Sequence, residues 1–292
     1  MLVLLSPGQG SQTPGLLSPW IDSPGAAADL ALWSAATDLD LLHLGTLAGA
    51  QELRDTAVAQ PLLVAAALLS GRALLAGETP GLVCGHSVGE LAALALGGVL
   101  TDAEAVVIAA GRGRAMAAAA VTAPTGMAAL LGATSVPNRP GLELATVNVA
   151  GHVVVGGPVA ALDALAVDPP PGVRVRRLDV AGAFHTSAMH SAVEPFRALL
   201  SLLPRRTALC GVVANADGAV LTDGGELLER LVVQLTSPVR FDLCLEQIGA
   251  RQPGRLVELA PGGTLGPLVR RGLPGTSVTM LKTTDDLALV TA

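Results

Sequence analysis

A serine framed by two glycines, Gly85-His86-Ser87-Val88-Gly89, carries the sharpest chemical signal in the chain. An apolar run, Leu82 to Cys84, precedes it, and another, Leu91 to Leu96, follows. The pattern reads strand, tight turn, helix, the context that lifts a serine hydroxyl above a sheet with a helix N-terminus beneath it. Such a serine can attack a carbonyl carbon. The N–H groups of the helix N-terminus favour the negative charge that then develops on the carbonyl oxygen. The turn is too sharp for neighbouring Cβ atoms, which accounts for the flanking glycines. The plainer alternative is a glycine turn between a core strand and a core helix.

Other residues could serve the same chemistry. Leu2 to Leu5 reads as a strand that ends in the glycine-rich loop Ser6-Pro7-Gly8-Gln9-Gly10-Ser11-Gln12. Three uses are open for it. It could cradle phosphate, although it lacks the Gly-Lys-Ser/Thr ending. It could present Gln9 and backbone N–H groups as an oxyanion loop, or it could be a flexible turn. Arg112 and Arg114 fall on one predicted helix, about 200° apart around its axis, so only one can face a given cleft. Arginines are ordinarily solvated. Gln60 leads an apolar helix and reads by itself as a solvated end. His185, in Ala183-Phe184-His185-Thr186-Ser187, falls between a strand and a helix, where a histidine is commonly a cap or solvated, and the same holds for His190.

The elements that must position these residues follow from the patterning. The chain has 292 residues, 51% hydrophobic and 14% charged, enough for a large core and too apolar for disorder. With two Trp, three Phe and no Tyr, that core is Leu, Val and Ala. The net charge of −6 and the lack of an aromatic–basic platform exclude non-specific nucleic-acid binding. Cys84, Cys210 and Cys244 read as reduced core thiols of a cytoplasmic protein, and no Cys/His cluster has zinc spacing. Met1 to Leu5 look like a first strand rather than a signal peptide, and the longest apolar run, Leu62 to Leu69, is too short to span a bilayer.

Helices are expected over Asp22–Asp38, Ala50–Thr56 and from Gln60-Pro61 to Leu75, the last with proline in its first turn. Thr101-Asp102-Ala103-Glu104 is a capping box that starts a helix to about Ala119. From Thr122 the pattern changes. Short strands over Met127–Leu131, Leu142–Val147, Val153–Val155 and Val173–Val180 surround a helix over Pro158–Leu165. After a helix over Ala188–Leu202 the α/β alternation returns, with strands at Gly211–Ala214, Leu256–Ala260 and Val278–Leu281 and helices at Gly225–Leu235, Val239–Ile248 and Thr264–Arg271. The predicted organisation is an α/β unit in two parts, 1–121 and 187–292, with a smaller α+β unit, 122–186, inserted between them.

Taken in order, Gly8-Gln9-Gly10-Ser11-Gln12, Gly85 to Glu90, Arg112-Gly113 with Met116, Asn148 and Ala183-Phe184-His185 resemble the malonyl-CoA:acyl carrier protein transacylases. More widely, they resemble the acyltransferase domains of fatty acid and polyketide synthases. Gln234-Leu235-Thr236-Ser237-Pro238-Val239 and Glu258-Leu259-Ala260-Pro261-Gly262 look like that family's C-terminal landmarks, so the resemblance covers nearly the whole chain. It implies an α/β-hydrolase-like large subdomain with a mainly parallel sheet and an inserted ferredoxin-like subdomain, with the active site in the cleft between them. It implies Ser87 as nucleophile, His185 as its base, and the backbone N–H groups of Gln9 and Val88 as the oxyanion hole. The backbone carbonyl of Ser237 would orient the histidine in place of an acid. Arg112 would grip the malonyl carboxylate, with Gln60, His86, Asn148 and the bulky Phe184 also in the substrate pocket. Malonyl-CoA and acyl carrier protein would be the substrates of a monomer that needs no metal or cofactor.

Three departures from the family pattern stand out. His152 replaces a frequent glutamine and is expected to supply a structural hydrogen bond near Asn148. Ala260 replaces a frequent glycine. The stretch between Leu131 and Leu142 is short and holds Pro137 and Pro140, so the first helix of the insert is expected to be reduced or absent. Candidate docking charges for an acidic carrier protein are Arg174, Arg176, Arg177, Arg205, Arg206, Arg270 and Arg271. The competing readings are the same transfer serving a polyketide pathway, a serine hydrolase, and a non-catalytic binding module. A hydrolase has no use for a buried cation at Arg112.

Overall fold

Leu2–Ser6 (β1) and Leu82–Gly85 (β2) are apolar without alternation, as strands covered on both faces must be, and they pair in parallel. The computed structural model describes residues 1–291. Between these strands lie helices Ala26–Thr37 (α1), Leu41–Thr46 (α2) and Thr56–Leu75 (α3). Gly89–Leu96 (α4) and Asp102–Ala120 (α5) follow β2. Next come Thr125–Leu131 (β3), Glu143–Val149 (β4), His152–Pro158 (β5), Val159–Val167 (α6) and Arg174–Arg177 (β6). The rest of the chain adds His190–Leu200 (α7), Gly211–Val213 (β7), Val220–Leu221 (β8), Gly224–Gln234 (α8), Val239–Arg240 (β9) and Phe241–Ala250 (α9). Arg255–Glu258 (β10), Leu265–Gly272 (α10), Thr279–Met280 (β11) and a short helix, Ala288–Thr291 (α11), follow.

Two sheets result. The larger has the order β11-β10-β1-β2-β7-β8, parallel except for the β7–β8 pair. The smaller has the order β6-β3-β5-β4-β9. Its first four strands are antiparallel and, with α6, make the ferredoxin-like unit. No helix stands between β3 and β4; residues 132–142 cross as turns. The smaller sheet turns two faces to two cores. Ala128, Leu130, Val153 and Val155 pack with α6, while Met127, Ala129 and Val154 pack on the large unit. A fifth strand, β9, comes from the C-terminal part and pairs in parallel with β4, tying the two units together.

The structure shifts several predicted boundaries. The helix expected from Asp22 begins at Ala26, because Pro24 and Gly25, the latter at φ 85°, hold the chain in a turn. Ala50–Thr56 shortens to one tight turn, Glu52–Arg54. The helix expected from Val239 starts at Phe241, since Val239 and Arg240 are taken into the smaller sheet. α3 starts at Thr56, where the Asp55 side chain accepts the Ala57 N–H at 2.8 Å. Pro61 therefore lies in the second turn, and Gln60 is buried inside a helix rather than solvated at its end.

Candidate active site

The turn between β2 and α4 is built by close approach. A Cβ on Gly85 would lie 2.0 Å from the Gly89 carbonyl carbon, and one on Gly89 would lie 2.2 Å from the Ser6 oxygen, so both positions require glycine. Ser87 takes φ 54°, a left-handed conformation that L residues adopt only when their surroundings enforce it. Its N–H is held by Asn215 Oδ1 at 2.8 Å. Its Oγ lies 2.7 Å from His185 Nε2. His185 is also left-handed, at φ 62°, in the loop that leads from β6 toward α7.

His185 Nδ1–H donates at 2.8 Å to the Gln234 carbonyl. This corrects the expectation for Ser237. Gln234 ends α8, so its carbonyl has no partner inside the helix and is free for the imidazole. Ser237 lies past the helix end, and its own N–H reaches that same carbonyl at 3.4 Å. The bond fixes the proton on Nδ1 and leaves the Nε2 lone pair for the serine hydroxyl. Burial, with the Arg112 charge nearby, pushes His185 down to about 3. The imidazole is therefore neutral and can accept a proton.

Arg112 and Arg114 part as the helical spacing requires. Arg114 reaches the Thr37 carbonyl of α1, while Arg112 is 1% exposed and points to the serine. Its Nη1 donates to Gln60 Oε1 at 2.9 Å, and its Nη2 to Gln234 Oε1 at 2.9 Å and Ser87 Oγ at 3.3 Å. All three acceptors are neutral, and Nε has no partner among the described residues. Burial lowers its pKa to about 10, so it is still a cation at neutral pH.

A cavity of about 160 Å³ opens at Ser87 and His185, with Gln9, Gln60, Met116, Met127, Asn148 and Phe184 among its walls. Arg112 sits beneath it, bonded to Gln60 and Ser87. The Gly8–Gln12 loop packs on the serine turn, Gly8 lying so close that an added Cβ would sit 2.4 Å from the His86 oxygen. Gln9 Nε2 donates to Thr56 Oγ1 at 3.2 Å. The backbone N–H groups of Gln9 and Val88 have no acceptor among the described residues. His86 Nε2 lies 3.0 Å from Asn148 Oδ1, and its ring meets Phe241 edge-on, with centroids 5.2 Å apart. The His152 ring makes no hydrogen bond among the described residues. His86 therefore supplies the bond to Asn148 that was expected of His152, which stands half-buried at the start of β5.

Three residues escape a motif-by-motif reading. Glu90, Asn215 and the Gln234 side chain form a buried network behind Ser87 and Arg112. Burial pushes Glu90 up to about 8. The available signal was a polar residue just past an apolar strand, as Asn215 is to β7. The described residues hold no cluster of three metal-ligating side chains.

The profile described as acyl transferase domain matches residues 3–284. The chain belongs to this family. Within it, the chain is 46% identical to the malonyl CoA-acyl carrier protein transacylase of Mycobacterium tuberculosis, over 98% of each sequence. The crystal structure of the M. tuberculosis enzyme superimposes with a TM-score of 0.93 at 44% identity, over 100% of both chains. A malonyl-transacylase solved in complex with a type II PKS acyl-carrier protein superimposes at 0.89 and 27% identity, over 99% of this chain and 98% of that one. The family thus has the two-subdomain α/β fold described above.

Proposed function

We propose that the protein moves malonyl from malonyl-CoA to the phosphopantetheine thiol of acyl carrier protein, in cytoplasmic fatty acid biosynthesis, through a malonyl ester on Ser87. The observation that carries the reading is Arg112: a buried cation 3.3 Å from the nucleophile, paired only with neutral groups. A carboxylate on the acyl group completes it, and the planar fork of guanidinium suits a carboxylate.

In the first step Ser87 Oγ attacks the thioester carbon while His185 Nε2 takes its proton. The oxyanion falls to the free N–H groups of Val88 and Gln9; losing one such donor typically costs ~10²–10³ in rate. The C–S bond then breaks, and the CoA thiolate takes the proton from His185. In the second step the carrier thiol gives its proton to His185 and attacks the ester carbon. The C–O bond breaks, and Ser87 recovers its proton. The family relationship and the carrier-protein complex of the related transacylase support the acceptor.

The test is intact mass after brief mixing with malonyl-CoA, for the unaltered chain and Ser87→Ala. One malonyl adduct, absent from the variant and discharged by carrier protein faster than by water, is expected. An adduct that water clears as fast as carrier protein does would make the protein a hydrolase.

A further inference from the structure

Glu90 is a buried carboxylate with no part in the two steps above. It lies in the first turn of α4, one residue past the second glycine of the serine turn, and is 5% exposed. Both of its oxygens face donors. The Asn215 backbone N–H meets Oε1 at 2.8 Å, and the Gln234 side-chain Nε2 meets Oε2. An ionised carboxylate can only accept. In that form Glu90 calls for the nitrogen end of the Gln234 amide and sends the oxygen end away from itself. That oxygen receives Arg112 Nη2 at 2.9 Å.

Asn215 acts in the same sense. Its Nδ2 is committed to the Gly85 carbonyl at 2.6 Å, and its Oδ1 to the Ser87 N–H at 2.8 Å. The same Oδ1 faces Gln234 Nε2 at 3.2 Å. Two acceptors thus hold one end of the Gln234 amide, and Arg112 is left with the other.

We propose that Glu90, acting through Gln234, is a positioning residue for Arg112, and that the pair sets the preference for an acyl group bearing a carboxylate without touching it. This rests on the reading of Arg112 as the malonyl grip. Gln234 also works as a spacer. A carboxylate in direct contact with Arg112 would neutralise the cation that substrate needs, whereas an amide oxygen orients it and leaves its charge in place.

The substitution Glu90→Gln reverses the demand. Its amide oxygen is required by the Asn215 N–H, so its nitrogen must face Gln234. Gln234 would then turn its own oxygen toward position 90 and its nitrogen toward Arg112, donor against donor. The backbone carbonyl of Gln234, which holds His185, is untouched.

A pH signature follows. Burial pushes the Glu90 carboxyl up to about 8; the Asn215 N–H, Arg112 and Arg230 oppose this, and Asp217 adds to it. The Cys244 thiol also feels the Glu90 charge; it is raised by Cys84, by burial and by the charges of Glu90 and Asp242. The acceptor-only form of Glu90 therefore gains as pH rises through about 8. His185, near 3, does not titrate in that window.

The experiment measures loading of Ser87 from malonyl-CoA and from acetyl-CoA by intact mass, for the unaltered chain, Glu90→Gln and Gln234→Met. Loss of one charge-assisted hydrogen bond should lower the malonyl-to-acetyl ratio by ~10-fold or more in both variants. In the unaltered chain the ratio should rise with pH through about 8, and in Glu90→Gln it should stay flat. Malonyl and acetyl loading that fall by the same factor, or a pH profile shared by the two chains, would overturn the inference. Should Glu90→Gln not fold, an unchanged ratio in Gln234→Met overturns it equally. No malonyl on the unaltered chain defeats the reading of function, and this inference with it. Malonyl loading without a change of ratio in the variants defeats this inference alone.

Discussion

Replacing Arg112 by alanine removes the cation beside Ser87, and its effect can be worked from the site. In the structure the guanidinium makes three hydrogen bonds to neutral acceptors, at 2.9, 2.9 and 3.3 Å. A malonyl carboxylate about 4 Å away gains ~4 kcal/mol at an effective dielectric of about 20. Giving up a neutral hydrogen bond to make room returns ~1 kcal/mol. The net of ~3 kcal/mol corresponds to ~10²-fold in malonyl loading. Acetyl has no carboxylate and loses none of this, so the malonyl-to-acetyl ratio of loading rates should fall by ~10². Arg112→Lys should recover only part, because an ammonium cannot fork across two carboxylate oxygens. The assay is quenched-flow intact mass with each CoA ester over a range of concentrations, giving kcat/KM for loading. A melting curve guards against a folding artefact. The variant leaves Gln60 Oε1 and Gln234 Oε1 without donors, at ~1–3 kcal/mol each. It also removes a buried cation whose Nε is unpartnered, which offsets part of that cost. Loading of malonyl and acetyl reduced alike, or a ratio within about threefold of the unaltered chain, would refute the role given to Arg112.

Four further outcomes are expected. Since His185 is held near 3, malonyl loading should show no acid limb at the ordinary histidine value of 6.5; a limb there, seen in kcat/KM against pH, would contradict the buried neutral base. The same depression carries a stability sign. The unfolded chain takes up a proton that the folded chain refuses, so stability should fall as pH drops from 6.5 toward about 3, and His185→Ala should flatten that fall in denaturant titrations. Among the candidate docking charges, Arg205 and Arg206 are paired with Glu229 and Glu104, whereas Arg174 and Arg176 are exposed on β6 without an ion pair among the described residues. Reversing Arg174 and Arg176 together should raise the KM for carrier protein roughly 2- to 30-fold and weaken its salt dependence, with malonyl loading from CoA unchanged; steady-state transfer at two ionic strengths checks this. Gly89→Ala should abolish loading, because its Cβ would enter the Ser6 carbonyl at 2.2 Å, and mass spectrometry beside a melting curve reads both the loss and its structural origin.

What was legible in the residues alone is what local sterics and local hydrogen bonds decide. The serine turn could be read because strand, glycines and helix are contiguous, and no distant residue is needed to see that a Cβ will not fit. The capping box at Thr101 and Glu104 closes within one turn, with bonds of 2.7 and 3.2 Å, so it too is written locally. The change of period after Thr122 marked the inserted unit, and a short proline-bearing stretch marked the missing helix between β3 and β4. Packing decided the rest. Gln60 looked like a solvated helix end until the Asp55 cap moved the start of α3 and turned it onto Arg112. The carbonyl that orients His185 depends on where α8 ends, a matter of a few residues that a motif cannot resolve. The bonds of Glu90 to Asn215 and Gln234 span 125 and 144 positions. Side chains so far apart in the chain carry no mutual signature in one sequence. Only the parallel pairing of β2 with β7, and the packing of α8 into the same core, bring these polar groups within bonding distance and make their burial tolerable.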